Sequence, residues 1–374
     1  MIKIKPAVLK VKTFIRNASG YGKIKRERKK ALLSASTLEN VDNIKQINEI
    51  IHPKCLIGTL VGFKKLNNNV KEYTVKLNKP VYYEAGTCCN LIINIDGKTY
   101  TRPYSVITEP SEAYQKQEIK IAVKYNKDGI VSKYLFEKAD VGLKVRLVIN
   151  IGHLKLIPVI DQKNIIMVAG GIGITPFLSI IKYIRKERPD YNVKLLYAVR
   201  EKEDLIYKDV LDKMVDNKFR IEYFVGDFID IDSLKQEEKT TYLICGSIGL
   251  NMYIRRMLSS LNIFEGLIRS EAFTPIKVEE NNETVEITVL QGLKETTILG
   301  SKDKTIAETL EDCGLKIKTG CRSGFCGHCR IKLIEGEVIN KTPVESRRYT
   351  DIENNYIYAC VNYPKTNLKI KINC

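Results

Sequence analysis

The segment Asn164-Ile-Ile-Met-Val-Ala-Gly-Gly-Ile-Gly-Ile-Thr-Pro176 decides how the middle of the chain folds. It opens with a short apolar run, which is the composition of a strand that is covered on both faces. Glycines follow at once, and Thr175 and Pro176 then suit the cap and the first turn of a helix. A buried strand, a glycine turn and a helix in succession predict a parallel α/β sheet.

The same pattern continues downstream and predicts one domain over residues 159–274. Strands are predicted at 193–199, 220–225 and 241–245, and helices at 177–188, 208–215 and 250–261. The turn Cys245-Gly-Ser-Ile-Gly249 follows one of these strands, so two glycine turns should meet at the carboxyl ends of neighbouring strands, where ligands bind. Two tight turns that hold no ligand are the alternative.

Upstream, residues 53–158 read as an antiparallel barrel or sandwich, because short alternating segments such as 118–124 are separated by turns such as Asp96-Gly97. Arg102-Pro-Tyr-Ser105 and Gly129-Ile-Val-Ser132 stand at the ends of predicted strands. Together they offer a cation, hydroxyls and an aromatic face, which suit a flavin nucleotide. A surface arginine and a packing tyrosine would equally explain the first motif.

Downstream, residues 283–374 contain the pattern Cys321-x4-Cys326-x2-Cys329, with Cys360 further on. This spacing is typical of plant-type [2Fe–2S] proteins, in which four thiolates hold two irons. Glycines at 320, 324 and 327 would allow the tight loop that such ligands need. A zinc site is the alternative. Five other cysteines of the chain are interpreted as structural or incidental thiols: Cys55, Cys88, Cys89, Cys313 and Cys374.

Composition limits the number of domains and the class of protein. The 374 residues are 44% hydrophobic and 28% charged, which predicts two or three packed domains. No apolar run approaches the roughly 18 residues of a membrane span, so we expect a cytoplasmic protein that is not integral to a membrane, with peripheral association left open. The net charge is +17, and residues 1–54 alone hold 13 Lys and Arg against 4 Asp and Glu.

That basic excess marks residues 1–52 as a separate, mostly helical extension. The basic run carries no interleaved aromatics and no nucleic-acid motif, so DNA or RNA binding is disfavoured. A solvated helix face and a docking segment for an acidic partner are the two interpretations.

Taken in chain order, the Arg102, Gly129, Gly170, Cys245 and Cys321 motifs resemble the ferredoxin–NADP reductase superfamily with a carboxy-terminal plant-type ferredoxin domain. The resemblance implies a multidomain chain: an antiparallel β-barrel flavin domain, an α/β parallel-sheet nicotinamide domain and an α+β β-grasp ferredoxin domain. It covers residues 53–374. The chain departs from the family where Ser247 follows Cys245-Gly246, since a proline is common there.

The resemblance also assigns residues by position. Flavin contacts would come from Arg102, Tyr104, Ser105, Gly129, Val131 and Ser132. Nicotinamide-nucleotide contacts would come from Gly170, Gly171, Gly173, Thr175, Arg200, Cys245 and Gly246. The reacting centre would include Tyr104, Ser105, Cys245, Glu271 and Phe273, and the cluster ligands would be Cys321, Cys326, Cys329 and Cys360.

The implied activity is transfer of a hydride from NADH to FAD, followed by transfer of single electrons through [2Fe–2S] to a soluble acceptor protein. The basic extension suggests that this acceptor is acidic. FMN is the less favoured flavin, and NADPH stays open although Glu201, Glu203 and Asp204 follow Arg200. Two alternatives remain: a flavin, ferric or dye reductase without a dedicated protein partner, and a zinc-bearing binding module with degenerate nucleotide sites.

Overall fold

The computed structural model describes residues 55–152, 154–158, 160–235, 239–273, 283–315, 317–324, 326–342 and 347–372. The chain divides after His52, and all of these residues belong to the second unit, Pro53–Cys374. The predicted basic extension lies outside the described residues, as does Cys374. Within the described part, no helix is long and apolar enough to cross a membrane.

Residues 56–151 form an antiparallel barrel. Its strands run in the order β4-β3-β6-β1-β2-β5, and an antiparallel bridge between Val106 and Ile121 joins the end of β4 to β5. This bridge closes the sheet, so the barrel and not the sandwich is correct. The strands and the two helices between them are β1 Leu56–Lys65, β2 Val70–Leu77, β3 Cys88–Ile95, β4 Lys98–Ser105, α1 Pro110–Lys116, β5 Glu118–Lys124, α2 Ile130–Glu137 and β6 Lys144–Ile151.

The next layer is a five-stranded parallel sheet in the order β11-β10-β7-β8-β9. The middle residues of β7, Ile165 to Ala169, are buried, as the apolar run predicts. The connection after β7 runs toward β8 and the connection after β10 runs toward β11, at the opposite edge of the sheet. This reversal between β7 and β10 creates the crevice where open α/β sheets bind ligands. The elements are β7 Asn164–Gly170, α3 Thr175–Glu187, β8 Asn192–Val199, α4 Lys208–Asp212, β9 Phe219–Val225, β10 Thr240–Gly246, α5 Ile248–Ser260 and β11 Ile268–Ala272.

The last part is a mixed sheet in the order β13-β12-β18-β14-β16, with β15 and β17 paired separately. Helix α6 begins with a capping box between Thr305 and Glu308, and its buried face packs on this sheet. The elements are β12 Thr284–Gln291, β13 Lys294–Ser301, α6 Ile306–Asp312, β14 Arg330–Glu335, β15 Val338–Asn340, α7 Tyr349–Glu353, β16 Tyr356–Tyr358, β17 Asn362–Pro364 and β18 Leu368–Lys371.

The predicted fold class is confirmed for the three domains, whose element order also follows the prediction closely. The structure adds β15, α7, β16 and β17 between β14 and β18, where no element was predicted. Helix α4 also differs, because it ends at Asp212 and not at Val215. The Asp216 carboxylate accepts hydrogen bonds from the backbone N–H groups of Lys218 and Phe219, at 2.9 and 2.8 Å. These bonds already turn the chain into β9.

The barrel and the parallel sheet share one hydrophobic cluster, to which Ala85 and Ile107 contribute from the barrel and Phe177 and Ile180 from α3. The Ser179 hydroxyl in α3 donates to the Thr108 carbonyl at 3.0 Å, and both residues are buried. This shared core fixes the carboxyl edge of the parallel sheet against the barrel.

Candidate functional site

The two glycine turns contact each other at the carboxyl edge of the parallel sheet. A Cβ on Gly173 would lie 2.2 Å from the Cys245 carbonyl oxygen, and one on Gly246 would lie 3.1 Å from the Gly170 Cα. Gly171 has a φ of +52° and open space around it. Glycine is therefore required at 173 for close approach and favoured at 171 for backbone conformation.

The start of α3 differs from the sequence expectation. Residues Gly171–Ile174 form a 3-10 turn, so Thr175 is already helical and the cap position falls on Ile174. The Thr175 hydroxyl donates to the Ile172 carbonyl at 3.0 Å and does not cap the helix. Because the Thr175 N–H donates to the Ile172 carbonyl and Pro176 has no N–H, donors for an anion would come from the Gly171–Ile174 turn itself, whose start has no described side-chain cap.

Four buried polar side chains meet where this edge faces the barrel. Cys245 and Glu271 are register partners on β10 and β11. The Cys88 thiol lies 3.6 and 3.7 Å from the two Glu271 carboxylate oxygens and 3.6 Å from the Ser105 hydroxyl. Cys88 was interpreted as incidental from the sequence, but it connects Ser105 of the barrel with Glu271 of the parallel sheet.

Burial controls the protonation of this group. It raises the pKa of the Cys88 and Cys245 thiols well above the usual range, so both remain protonated at neutral pH. The pKa of Glu271 is raised to about 7 by burial and then by the charge of Cys321, while the hydrogen bond from Cys88 lowers it. The geometry therefore holds a carboxyl group that can take up or release a proton near neutral pH beside two neutral thiols.

The flavin-side residues lie along β4 and the start of α2. Tyr104 packs against the barrel core, and Arg102 donates from Nη1 to the Thr101 carbonyl at 2.9 Å and to Glu311 at 3.2 Å. Val131 is buried, so any contact with a diphosphate would use its backbone. Gly129 precedes α2, and a Cβ added at this position would lie 2.4 Å from the Ser132 hydroxyl oxygen.

Because no described side chain caps α2, its amino end also presents free N–H groups to an anion. This cradle, which a Cβ at 129 would obstruct, fits a flavin diphosphate. On the opposite side of the crevice, Arg200 is exposed just after β8, and Phe273 packs partly against the shared core just after β11.

The segment from Thr319 to Cys329, called the cysteine loop here, and Cys360 bring four thiols together in two pairs. Cys329 and Cys360 lie 3.0 Å apart, sulfur to sulfur. The Cys321 and Cys326 backbone N–H groups donate to each other's sulfur, at 3.2 and 3.3 Å. Two thiols per pair match two irons with two protein ligands each.

The backbone of the loop explains its glycines. A Cβ on Gly320 would lie 2.5 Å from the Cys326 sulfur, and Gly324 and Gly327 have φ values of +84° and +69°. Buried hydroxyls of Thr319 and Ser323 have no hydrogen-bond partner among the described residues. Unused donors around clustered thiols fit a group that carries inorganic sulfide. Within the described residues, no three His, Cys, Asp or Glu side chains form a set that could hold one metal ion.

The cysteine loop also contacts the barrel. The Asn90 side-chain amide donates to the Thr319 carbonyl at 2.7 Å, two residues before Cys321. Asn90 was not singled out from the sequence, because nothing local to β3 indicates a partner 229 residues away.

Family models match all three parts of the chain. The oxidoreductase FAD-binding domain matches residues 58–156, the oxidoreductase NAD-binding domain residues 167–227, and the 2Fe-2S iron-sulfur cluster binding domain residues 289–365. The predicted cofactors, FAD, a nicotinamide dinucleotide and [2Fe–2S], are confirmed at this level. The exact domain limits and the roles of single residues stay predictions.

Known proteins are similar to most of the chain. The chain is 23% identical to the NADH oxidoreductase HCR of Escherichia coli over 295 residues, covering 76% of this chain and 88% of that protein. It is 27% identical to the phthalate 4,5-dioxygenase oxygenase reductase subunit of Pseudomonas putida over 276 residues, covering 72% and 82%. A solved phthalate dioxygenase reductase superposes with a TM-score of 0.67 at 24% identity, covering 86% of this chain and 98% of that chain.

The three matched domains, their order and these relatives agree with the motifs read from the sequence. The chain belongs to the ferredoxin–NADP reductase superfamily, as an oxidoreductase that carries a carboxy-terminal [2Fe–2S] domain.

Proposed function

We propose that the protein takes electrons from NADH and delivers them singly to a separate acceptor protein. When bound, the flavin accepts a hydride, which is two electrons and a proton, and the [2Fe–2S] cluster accepts one electron at a time. The protein's own part is to hold these groups close together and to control protons and water around them.

One observation carries this proposal: residues of all three domains meet in one buried place. Ser105 and Cys88 come from the barrel and Cys245 and Glu271 from the parallel sheet, while Asn90, two residues after Cys88, donates to Thr319 at the start of the cysteine loop. A nicotinamide ring, a flavin ring and a cluster that used these residues would be neighbours. Electron transfer within one chain is the chemistry that such a meeting point serves best.

Each side chain has a proposed role at this point. Tyr104 would stack on the flavin ring, and Ser105 would face its reactive edge. Cys245 would shape the nicotinamide pocket as a neutral, buried thiol. Glu271 would exchange a proton near neutral pH, and Phe273 would shield the pocket from water.

Phosphates would be held by backbone and cations at two helix starts. The flavin diphosphate would lie at the amino end of α2, against Gly129, Val131 and Ser132, with Arg102 as its cation. The nucleotide would lie at the amino end of α3. Its contacts would be Gly170, Gly171, Gly173, Thr175 and Gly246, with Arg200 at the edge.

NADH is the proposed donor. Beyond β8, Arg200 is followed by the exposed acids Glu201 and Glu203, which would repel a 2′-phosphate. FAD is the proposed flavin because of the FAD-binding domain and the Gly129 to Ser132 spacing. Chromatography of the flavin released by heat separates FAD from FMN, and KM values for NADH and NADPH test the donor.

The acceptor is proposed to be a protein. Relatives include reductase subunits of a phthalate dioxygenase and a glycine betaine monooxygenase, so an oxygenase component is a suitable class. The basic excess of residues 1–54 supports an acidic docking surface on that partner. A reducing cytoplasm would suit the protein, because the described cysteines are free thiols.

Anaerobic stopped-flow mixing with NADH tests the electron path. Flavin absorbance should fall first, and cluster absorbance should fall afterwards at a rate that does not depend on NADH concentration. Cluster reduction by NADH in a flavin-free preparation at the same rate would contradict the proposed order.

A further inference from the structure

A buried ion-pair triad joins the barrel to the cysteine loop. Glu311 on α6 accepts a hydrogen bond from Arg102 on β4 at 3.2 Å, through Nη1 and Oε2. Its other oxygen, Oε1, accepts from Nη2 of Arg322, the residue directly after the ligand Cys321. One carboxylate therefore connects the proposed flavin arginine with the loop that would hold the cluster.

The triad is poorly solvated. The side chains of Arg102, Glu311 and Arg322 are 22%, 9% and 13% exposed. Burial, and after it the charge of Arg322, lowers the pKa of Arg102, while the charge of Glu311 and its hydrogen bond raise it. Removing one partner of such a buried ion pair leaves the other charge buried and unpaired, which strongly destabilises the packing of the two segments against each other.

Two further contacts lie on the same interface. Asn90 donates to the Thr319 carbonyl at 2.7 Å, two residues before Cys321. Lys98 donates to the Asp312 carbonyl at the end of α6, at 3.3 Å. Glu311 is the one charged group among these described contacts that reaches both the barrel and the loop, so it carries most of the electrostatic coupling between them.

Arg102 keeps capacity for a second partner. Both of its hydrogen bonds in the structure use Nη1, to Thr101 and to Glu311. A guanidinium has five N–H donors in a planar fork, so Nε and Nη2 can serve a phosphate at the same time. Arg322 adds a second positive charge, so the triad has a net charge of +1 and does not repel an anion.

We propose that Glu311 is a positioning residue for electron transfer, which latches the cysteine loop onto the barrel through Arg102 and Arg322 and so holds the cluster beside the flavin. The inference rests on the proposed function, because it concerns the step from flavin to cluster. It does not concern the step from NADH to flavin, because Glu311 reaches the proposed flavin site only through Arg102 and has no described contact with the two glycine turns.

The test compares Glu311→Gln with Glu335→Gln, an exposed glutamate on β14, in full-length protein loaded with flavin and cluster. Anaerobic stopped-flow gives the two rates separately. Flavin reduction by NADH should be unchanged in both variants, while cluster reduction should be about tenfold slower or more in Glu311→Gln. Hydrogen exchange of α6 amides should also be faster in that variant, which reports the loosened contact independently of activity.

Cluster reduction within twofold of the Glu335→Gln rate would overturn the proposal. If Glu311→Gln fails to retain its cluster, Glu311→Asp decides, because it keeps the charge but is too short to reach both arginines. Slower cluster reduction in Glu311→Asp supports the latch, and an unaltered rate overturns it. Failure of NADH to reduce the flavin in the unmodified protein would instead refute the proposed function.

Discussion

Replacing Gly173 by alanine tests the crevice between the two glycine turns. The new Cβ would lie 2.2 Å from the Cys245 carbonyl oxygen, 2.6 Å from its carbonyl carbon and 3.0 Å from the Gly246 nitrogen. Ordinary contacts begin near 3.4 Å, so the turns must separate by about 1 Å. All three obstructing atoms are backbone, so no side chain can rotate away.

The cost follows from that geometry. Forcing an extra methyl group into a packed site costs about 1 to 3 kcal/mol, and a folding unit of more than 150 residues, such as Pro53–Cys374, loses about 2 to 4 °C of melting temperature per kcal/mol. A displacement of about 1 Å in a substrate-positioning element costs on the order of 10²-fold in rate. We therefore expect Gly173→Ala to melt several degrees lower and to lose on the order of 10²-fold in kcat/KM for NADH.

The matched control is Gly249→Ala, since a Cβ there meets only the Ser247 hydroxyl oxygen, at 3.9 Å. The assay is anaerobic flavin reduction at varied NADH concentration, with thermal melting of the same samples. If Gly173→Ala reduces its flavin with the kcat/KM of Gly249→Ala, the turns do not form the nucleotide site.

Three other predictions concern the buried thiols and the carboxyl group. The pKa of Glu271 is raised from 4.5 to about 7, so its contribution to stability is complete below pH 4.5 and is lost as pH rises to 7, about 3 kcal/mol in total. Glu271→Gln should therefore flatten the dependence of melting temperature on pH between 4.5 and 7, and an equal dependence in both proteins would contradict this prediction. Cys88→Ala removes the hydrogen bond that lowers the pKa of Glu271, so the pH profile of flavin reduction should shift to higher pH, whereas Cys89→Ala, whose thiol packs in the barrel core, should leave its position unchanged. Cys326→Ser should abolish cluster absorbance and reduction of a protein acceptor but keep NADH-dependent dye reduction, while undiminished acceptor reduction would favour a direct flavin reductase.

The sequence predicts the features of the fold that depend on neighbouring residues, such as buried strands and tight loops. The apolar run at 165–169 gives a buried strand because only a doubly covered strand tolerates it, and the spacing of Cys321, Cys326 and Cys329 gives a single loop. The contacts between domains were not predictable in the same way. Cys88 and Glu271 are 183 positions apart, and Arg102 and Glu311 are 209 apart, so no periodicity connects them.

Even so, part of the site follows from strand geometry. On β3, Cys89 and Leu91 point into the barrel core, and alternation therefore turns Cys88 and Asn90 to the other face. Register pairs Cys88 with Ser105 on β4, which adds the hydroxyl to that face. The sequence contains this alternation, but it does not identify the domains that cover the outer face.

The pairing of β3 with β6 shows why this face can serve two domains. Register shifts between Cys88 and Cys89, which pair with Ile151 and Ile149. The extra residue of this irregularity lies in β6, between Ile149 and Ile151, so β3 keeps its alternation. Cys88 is directed to Glu271, while Asn90, two residues on, reaches Thr319 beside the cysteine loop. One barrel strand thus contacts the nicotinamide domain and the ferredoxin domain at adjacent outward positions, and a one-residue slip of β3 would turn both contacts into the barrel core.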